Sequence, residues 1–229
     1  RRFFSYFHPA LEDEPIIFVQ VALTNGLGRS IQEITKPRSD GDQKYDSATF
    51  YSISNCQEGL SRVTLGNFLI KRVVFEIQEE LPNIKHFGTL SPIPGFRDWF
   101  SYLEDGKIKN ILGDVPVENI SFLKSPDLKV GDPRIVSNKV AITKLVAHYL
   151  MNEKDKKKLP INDVCRFHLG NGAIIDDIII NANVSEVGLN RSFGVMVNYL
   201  YELKNIEKNH EEYINNKTII VSDKLKKII

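Results

Sequence analysis

The stretch "GNFLIKRVVFEIQEELP" (66–82) constrains the fold more than any other part of the chain. Leu65, Phe68, Leu69, Val73, Ile77 and Leu81 recur at helical spacing and Pro82 ends the run, so a helix is predicted here. Strand patterns flank it. "ATFYSISN" (48–55) alternates ahead of it, and "IKHFGTLS" (84–91) follows and runs into two prolines. Further upstream, "RRFFSYF" and "IIFVQVALT" (16–24) are aromatic and β-branched, with the acidic "HPALEDEP" between them, which reads as an antiparallel hairpin. "NGLGRSIQEITKPRSDGDQKYDS" reads as an exposed connection with one short helical stretch.

Downstream, residues 97–150 look mainly helical and loop-like. "NDVCRFHLGNG" (162–172) reads as a short helix with Asn162 as N-cap and Gly170 just past its end. "AIIDDIII" is strand-like, and "GVMVNYLYEL" fits strand or helix. The lysine run in "NEKDKKKLP" reads as a solvated loop.

Composition narrows the function classes. The chain has 229 residues, 42% of them apolar, which suits one large globular domain or two small ones. Its 30 basic and 29 acidic residues leave a net charge of +1 with no long basic block, so a general nucleic-acid binder is not expected. A local basic patch for a phosphorylated ligand remains open. Two cysteines, Cys56 and Cys165, cannot make a disulfide framework, and no paired-ligand or HExxH spacing points to a metal. No apolar run reaches the length of about 18 to 20 residues that spans a bilayer. The chain opens on Arg1-Arg2 without a methionine, so an N-terminal segment is expected to be missing, and any targeting signal with it.

Three motifs bear on chemistry. In "SRVTLGN" (61–67) a strand-derived loop becomes a helix at Gly66 and Asn67. Free backbone N–H groups and the positive helix end suit a phosphate there, and Arg62, Lys71 and Arg72 add charge. The spacing is neither a P-loop nor GxGxxG, and taken by itself the motif favours an ordinary glycine at a helix start. In "TLSPIPGF" (89–96), Ser91 precedes Pro92. The octapeptide alone favours a turn. A hydrolase elbow is excluded, because it needs an N–H from the residue after the serine and proline has none. In "FHLGNG", His168 stands near the end of its helix, where the dipole would favour a protonated imidazole; a satisfied structural histidine is the alternative.

Taken together, "FYSISNCQEGL", "LGNFLIKRVV", "TLSPIPGF", "FHLGNGA" and "MVNYLY" resemble the catalytic domain of malonyl-CoA decarboxylases, in the family's order and over most of the chain. The resemblance implies an α+β fold of the GNAT acyltransferase type: a mixed, mostly antiparallel sheet with flanking helices and a mainly helical insertion at about 101–160. The family's N-terminal helical domain would lie outside this chain. Two neighbouring strands, here "ATFYSISN" and "IKHFGTLS", would splay to admit an acyl thioester.

The resemblance further implies Ser91 and His168 as catalytic positions, with Tyr201 in the active site and Asn171 as a support for the imidazole. Ser61, Arg62, Val63, Thr64, Leu65, Gly66 and Asn67 would line the CoA site. Mammalian members carry a glutamate where this chain has Thr64, so an acidic role there does not transfer. The implied reaction is decarboxylation of malonyl-CoA to acetyl-CoA and CO2, in control of malonyl-CoA levels and fatty-acid metabolism. It needs no separate cofactor, since CoA is part of the substrate. The protein would work inside the cell, in mitochondria, cytoplasm or peroxisomes, with a homo-oligomer left open. An acyl-CoA-dependent acyltransferase and a non-catalytic CoA-binding module are the competing readings.

Overall fold

The structure is a computed structural model that describes residues 1–36, 44–57 and 66–229. Strands β1 (Arg2–His8) and β2 (Leu11–Thr24) form the expected antiparallel hairpin. Its turn is shorter than the sequence suggested. The strand already begins at Leu11, and Pro15, which has no N–H to give, sits opposite Phe7 where the register shifts. A five-residue helix α1 (Ile31–Thr35) follows, capped by the Ser30 side chain. Strand β3 (Ser47–Asn55) pairs antiparallel with β2.

Helix α2 (Gly66–Glu80) then carries the chain across to β4 (His86–Thr89), which lies parallel to β3. A parallel neighbour requires such a crossover, because a tight turn cannot return the chain in the same direction. The helix buries Ile70, Val73, Val74 and Ile77 in the same apolar cluster as Phe50 and Phe87. Each such fully buried side chain contributes about 1.5–3 kcal/mol.

Past Leu90 the strand resumes as β5 (Ser91–Pro92). The connection to the next strand is helical: α3 (Phe96–Ser101), α4 (Asp105–Leu112), a 3-10 helix (Val117–Lys124), α5 (Pro133–Ser137), α6 (Lys139–Met151) and α7 (Asp163–Gly170). Phe96, Phe100, Ile108, Leu112, Leu145 and Leu150 from this stretch join the core shared with the sheet. The lysine run is exposed, as expected.

Strand β6 (Ile174–Ile179), helix α8 (Glu186–Ser192) and strand β7 (Met196–Leu200) follow, and the chain closes with α9 (Ile206–Asn216) and α10 (Asp223–Lys226). "MVNYL" is thus a strand. The sheet runs β1-β2-β3-β4/β5-β7-β6; of the strand pairings among the described residues only β3–β4 is parallel, and β6 adds an isolated parallel bridge from Ile175 to Val221. This is the mixed, mostly antiparallel α+β architecture that the sequence implies.

Candidate active site

The site arises where the parallel pair comes apart. β3 and β4 are paired from Ser47/His86 to Phe50/Thr89, and the Leu90 N–H still reaches the Phe50 carbonyl at 2.9 Å. β3 then continues alone on that side, while Ser91 and Pro92 turn to pair with Val197 and Met196 of β7. Between the diverging strands lies a cleft of about 510 Å³ lined by Phe50 to Ile53, Thr89 to Pro92, and Asp163, Val164, Phe167 and His168 of α7. That volume falls in the range of about 300–1,000 Å³ usual for small-molecule sites.

The proline loop and α7 are locked together by one residue. Asn162 Oδ1 accepts the Cys165 N–H at 2.8 Å and caps the helix, as the sequence predicts, while its Nδ2 donates to the Pro94 carbonyl at 2.9 Å. The Tyr149 hydroxyl donates to the same carbonyl at 3.0 Å. Helix and loop therefore hold a fixed relation, and with them His168 and Ser91.

A chain of hydrogen bonds runs from the cleft floor into the core. Ser91 Oγ donates to Thr89 Oγ1 at 2.8 Å and lies 2.9 Å from His168 Nε2; His168 Nδ1 lies 2.8 Å from the Tyr201 hydroxyl. The tautomer is assigned from this network. Ser91 gives its proton to Thr89, so it meets the imidazole as an acceptor and Nε2 carries the hydrogen. Nδ1 then accepts from Tyr201, which gives the buried phenol a partner for its O–H. The Tyr199 ring stacks on the imidazole, with centroids 4.5 Å apart.

One electrostatic expectation is overturned. His168 does stand in the last turn of α7, but it is only 3% exposed, and burial pushes its pKa down to about 3. Desolvation outweighs the helix dipole, so the ring is neutral at pH 7 rather than an imidazolium. Burial likewise pushes the Tyr201 and Tyr199 phenols well up, and Cys165 up to about 12, so all three stay protonated.

Asn171 requires a second correction. Its Nδ2 donates to the Phe167 carbonyl at 2.6 Å, and its backbone N–H closes the helix onto Phe167 and His168. It shapes the end of α7 and makes no hydrogen bond to the imidazole. The helix also ends one residue later than expected. Gly170 is its last residue, and Gly172 takes the left-handed turn at φ +77°, where a Cβ would come within 2.2 Å of the Ile206 carbonyl oxygen.

The expected CoA loop is described only at its last two residues. Ser61, Arg62, Val63, Thr64 and Leu65 lie outside the described residues, and Gly66 and Asn67 open α2 as the sequence predicts. Thr89, Asn162 in its second role and Tyr199 are residues that sequence reasoning missed. Alternation on a strand was the available signal for two of them: Thr89 shares a face with Ser91, and Tyr199 with Tyr201.

Tyr201→Phe tests the inner end of the chain. Without the phenol O–H, Nδ1 becomes a buried acceptor with no donor, at a cost of about 1–3 kcal/mol in stability. Turnover is expected to fall about tenfold with the loss of the tautomer's anchor, a loss of about 1.4 kcal/mol. Urea unfolding and steady-state kinetics read the two effects, and a variant with unchanged kcat removes Tyr201 from the relay.

Comparison with known proteins identifies the family. The family model of the malonyl-CoA decarboxylase C-terminal domain matches residues 1–229. Malonyl-CoA decarboxylase, mitochondrial, of Anser anser anser is 36% identical over 247 residues, covering 98% of this chain and 49% of its own length. The protein of the same name from Rattus norvegicus is 35% identical over 251 residues, covering 100% of this chain and 51% of its own. The crystal structure of malonyl-CoA decarboxylase from Rhodopseudomonas palustris superposes with a TM-score of 0.88 at 38% identity, over 99% of this chain and 52% of that one. The Agrobacterium vitis structure gives 0.89 at 37%, over 100% and 56%. The chain thus spans about half the length of the relatives it matches. With its motifs, its diverging strands and a family match over its whole length, the chain belongs to the malonyl-CoA decarboxylase family, as a C-terminal domain.

Proposed function

We propose that this chain decarboxylates malonyl-CoA to acetyl-CoA and CO2, as a carboxy-lyase. The observation that carries the reading is the Ser91–His168 pair lining the opening between β3 and β5, with Tyr201 buried behind the imidazole. That opening gives an extended acyl thioester a place to lie between two strands. α2, which follows β3, begins at Gly66, and the N–H groups of its first turn have no partner within the helix. The CoA pyrophosphate is assigned to that end.

Decarboxylation breaks the bond between the carboxylate carbon and the α-carbon. The electron pair moves into the thioester and leaves an enolate, and the α-carbon then takes one proton, which comes ultimately from solvent. The enolate is already delocalised onto oxygen, so no pyridoxal or thiamine electron sink is required. The protein's tasks are to orient the carboxylate, donate hydrogen bonds to the developing oxyanion and admit a proton. In the resting site the Ser91 hydrogen points to Thr89 and the Nε2 hydrogen to Ser91; on substrate binding the developing oxyanion takes their place as acceptor, and neutral His168 and the Ser91 hydroxyl donate to it. The walls at Phe50, Leu90 and Phe167 thin the water around the charge that forms.

The substrate class follows from this reading: malonyl-CoA is the partner, and the work lies inside the cell. The goose and rat relatives carry "mitochondrial" in their names, and we extend that compartment to this chain as a proposal. Among the described residues no helix is long and apolar enough to cross a membrane.

Incubation with malonyl-CoA alone tests the activity: CO2 and acetyl-CoA are expected without any acceptor. Turnover only when an amine or alcohol is supplied would establish acyl transfer instead. Binding of CoA with neither reaction would leave a binding module. A second test addresses the α2 terminus. Gly66→Val should block close backbone approach of the pyrophosphate and weaken CoA binding by about tenfold or more, about 1.4 kcal/mol. Unchanged affinity by calorimetry in the folded variant moves the pyrophosphate elsewhere.

A further inference from the structure

We infer that Thr89 is a positioning residue for this site, acting through Ser91 to set the direction of the whole hydrogen-bond chain. Thr89 and Ser91 are two residues apart on one extended run, so their side chains leave the same face. Thr89 is 1% exposed, and its Oγ1 accepts the Ser91 proton at 2.8 Å. The same Oγ1 accepts the Tyr199 backbone N–H at 3.3 Å. Its carbonyl accepts from Asn198 Nδ2 at 2.6 Å. Thr89 is therefore held at both its hydroxyl and its backbone by β7.

The bond chain begins on that strand and ends one residue past it. It runs from the Tyr199 N–H through Thr89, Ser91 and His168 to Tyr201, which follows the last residue of β7. Tyr201 is itself fixed by its N–H on the Phe87 carbonyl at 2.8 Å. With Thr89 taking the serine proton, Ser91 turns a lone pair toward His168, and the Nε2 hydrogen has an acceptor. Without the threonine oxygen, the Ser91 hydroxyl is free to point at Nε2 and compete for the ring. A β-branched residue suits the task, because its χ1 is stiff and the acceptor stays in place.

The test is a double-mutant cycle on the full chain. Thr89→Val keeps the shape and removes the oxygen; kcat should fall about tenfold with KM for malonyl-CoA unchanged. Thr89→Ser restores the hydroxyl and should restore kcat. In the Ser91→Ala background, Thr89→Val should have no further effect, because the group it acts through is gone. The same cycle is read on the resting protein by nitrogen NMR of the His168 ring: Thr89→Val moves the ring nitrogen signals when Ser91 is present and leaves them in place in the Ser91→Ala background.

The kinetic arm rests on the decarboxylase reading and the spectroscopic arm does not. A wild-type chain that releases no CO2 from malonyl-CoA ends that reading, and the NMR cycle still decides Thr89. If Thr89→Val fails to fold, Thr89→Ala removes the same oxygen and is read in the same way. Equal losses with and without Ser91, or His168 signals indifferent to the threonine hydroxyl, overturn the inference.

Discussion

His168→Asn is expected to lower kcat by about 10²- to 10⁴-fold while CoA binding persists. The geometry gives the reason. An asparagine amide reaches about as far as Nδ1 of the imidazole, so it can still meet the Tyr201 hydroxyl. It cannot extend to Ser91, which lies 2.9 Å beyond Nε2. The donor nearest the cleft is lost, and the proton route from Tyr201 to Ser91 is cut. CoA recognition is assigned to the α2 end and should survive.

The buried imidazole also leaves a signature in stability. Its folded pKa of about 3 lies below the ordinary 6.5, so the unfolded chain takes up the proton first as pH falls. The stabilisation from this group is complete above about pH 6.5. It is lost toward pH 3 at up to about 1.4 kcal/mol per pH unit. His168→Asn removes that slope while the carboxylates keep theirs. Urea unfolding of both proteins between pH 7 and pH 4.5 should show the wild-type advantage shrinking as pH falls. A difference independent of pH would mean the ring is not buried as a neutral group. Normal kcat in a merely destabilised His168→Asn protein would make His168 a core residue and end its catalytic role.

The sequence announced the fold where local pattern and tertiary role coincide. The α2 periodicity, the hairpin, the Asn162 cap and the strand before the prolines all reappear, because each rests on spacing or capping that acts over a few residues. "MVNYLY" stayed ambiguous for a physical reason. β7 is covered on both faces, with Val197 and Tyr199 in one apolar cluster and Met196 in the other, so the alternation that marks a half-buried strand is erased.

The site was legible as residue types and not as electrostatics. The helix end around His168 suggested a stabilised cation, since a dipole can be read from position. Burial cannot, because it depends on Tyr199 and Tyr201 arriving from a strand far along the chain. Asn171 was misread in the same way: a neighbour in sequence, it faces the Phe167 carbonyl instead of the ring. Thr89 was overlooked because a threonine in a strand has an ordinary explanation, and only the arrangement of β7 gives its hydroxyl a second task.

Ser91→Ala separates the turn reading of "TLSPIPGF" from the catalytic one. The backbone should hold, since Ser91 keeps its pairing with Val197, Pro92 follows it in β5, and the Pro94 carbonyl remains tied to Tyr149 and Asn162. The hydroxyl itself bonds only to Thr89 and His168 among the described residues, so its removal should cost about 1–3 kcal/mol in stability. Turnover should suffer more. The alanine leaves the Nε2 hydrogen without its acceptor in the resting site and deprives the developing enolate of a fixed donor. Loss of one such donor typically lowers kcat by about 10²- to 10³-fold. The loss should appear in kcat, with CoA affinity kept, because the nucleotide end of the ligand is assigned to the start of α2. Single-turnover rates and CoA calorimetry on the same preparation read both quantities. If that alanine protein decarboxylates at the wild-type rate, the serine serves only to start the proline turn, and the chemistry must pass directly between His168 and the substrate.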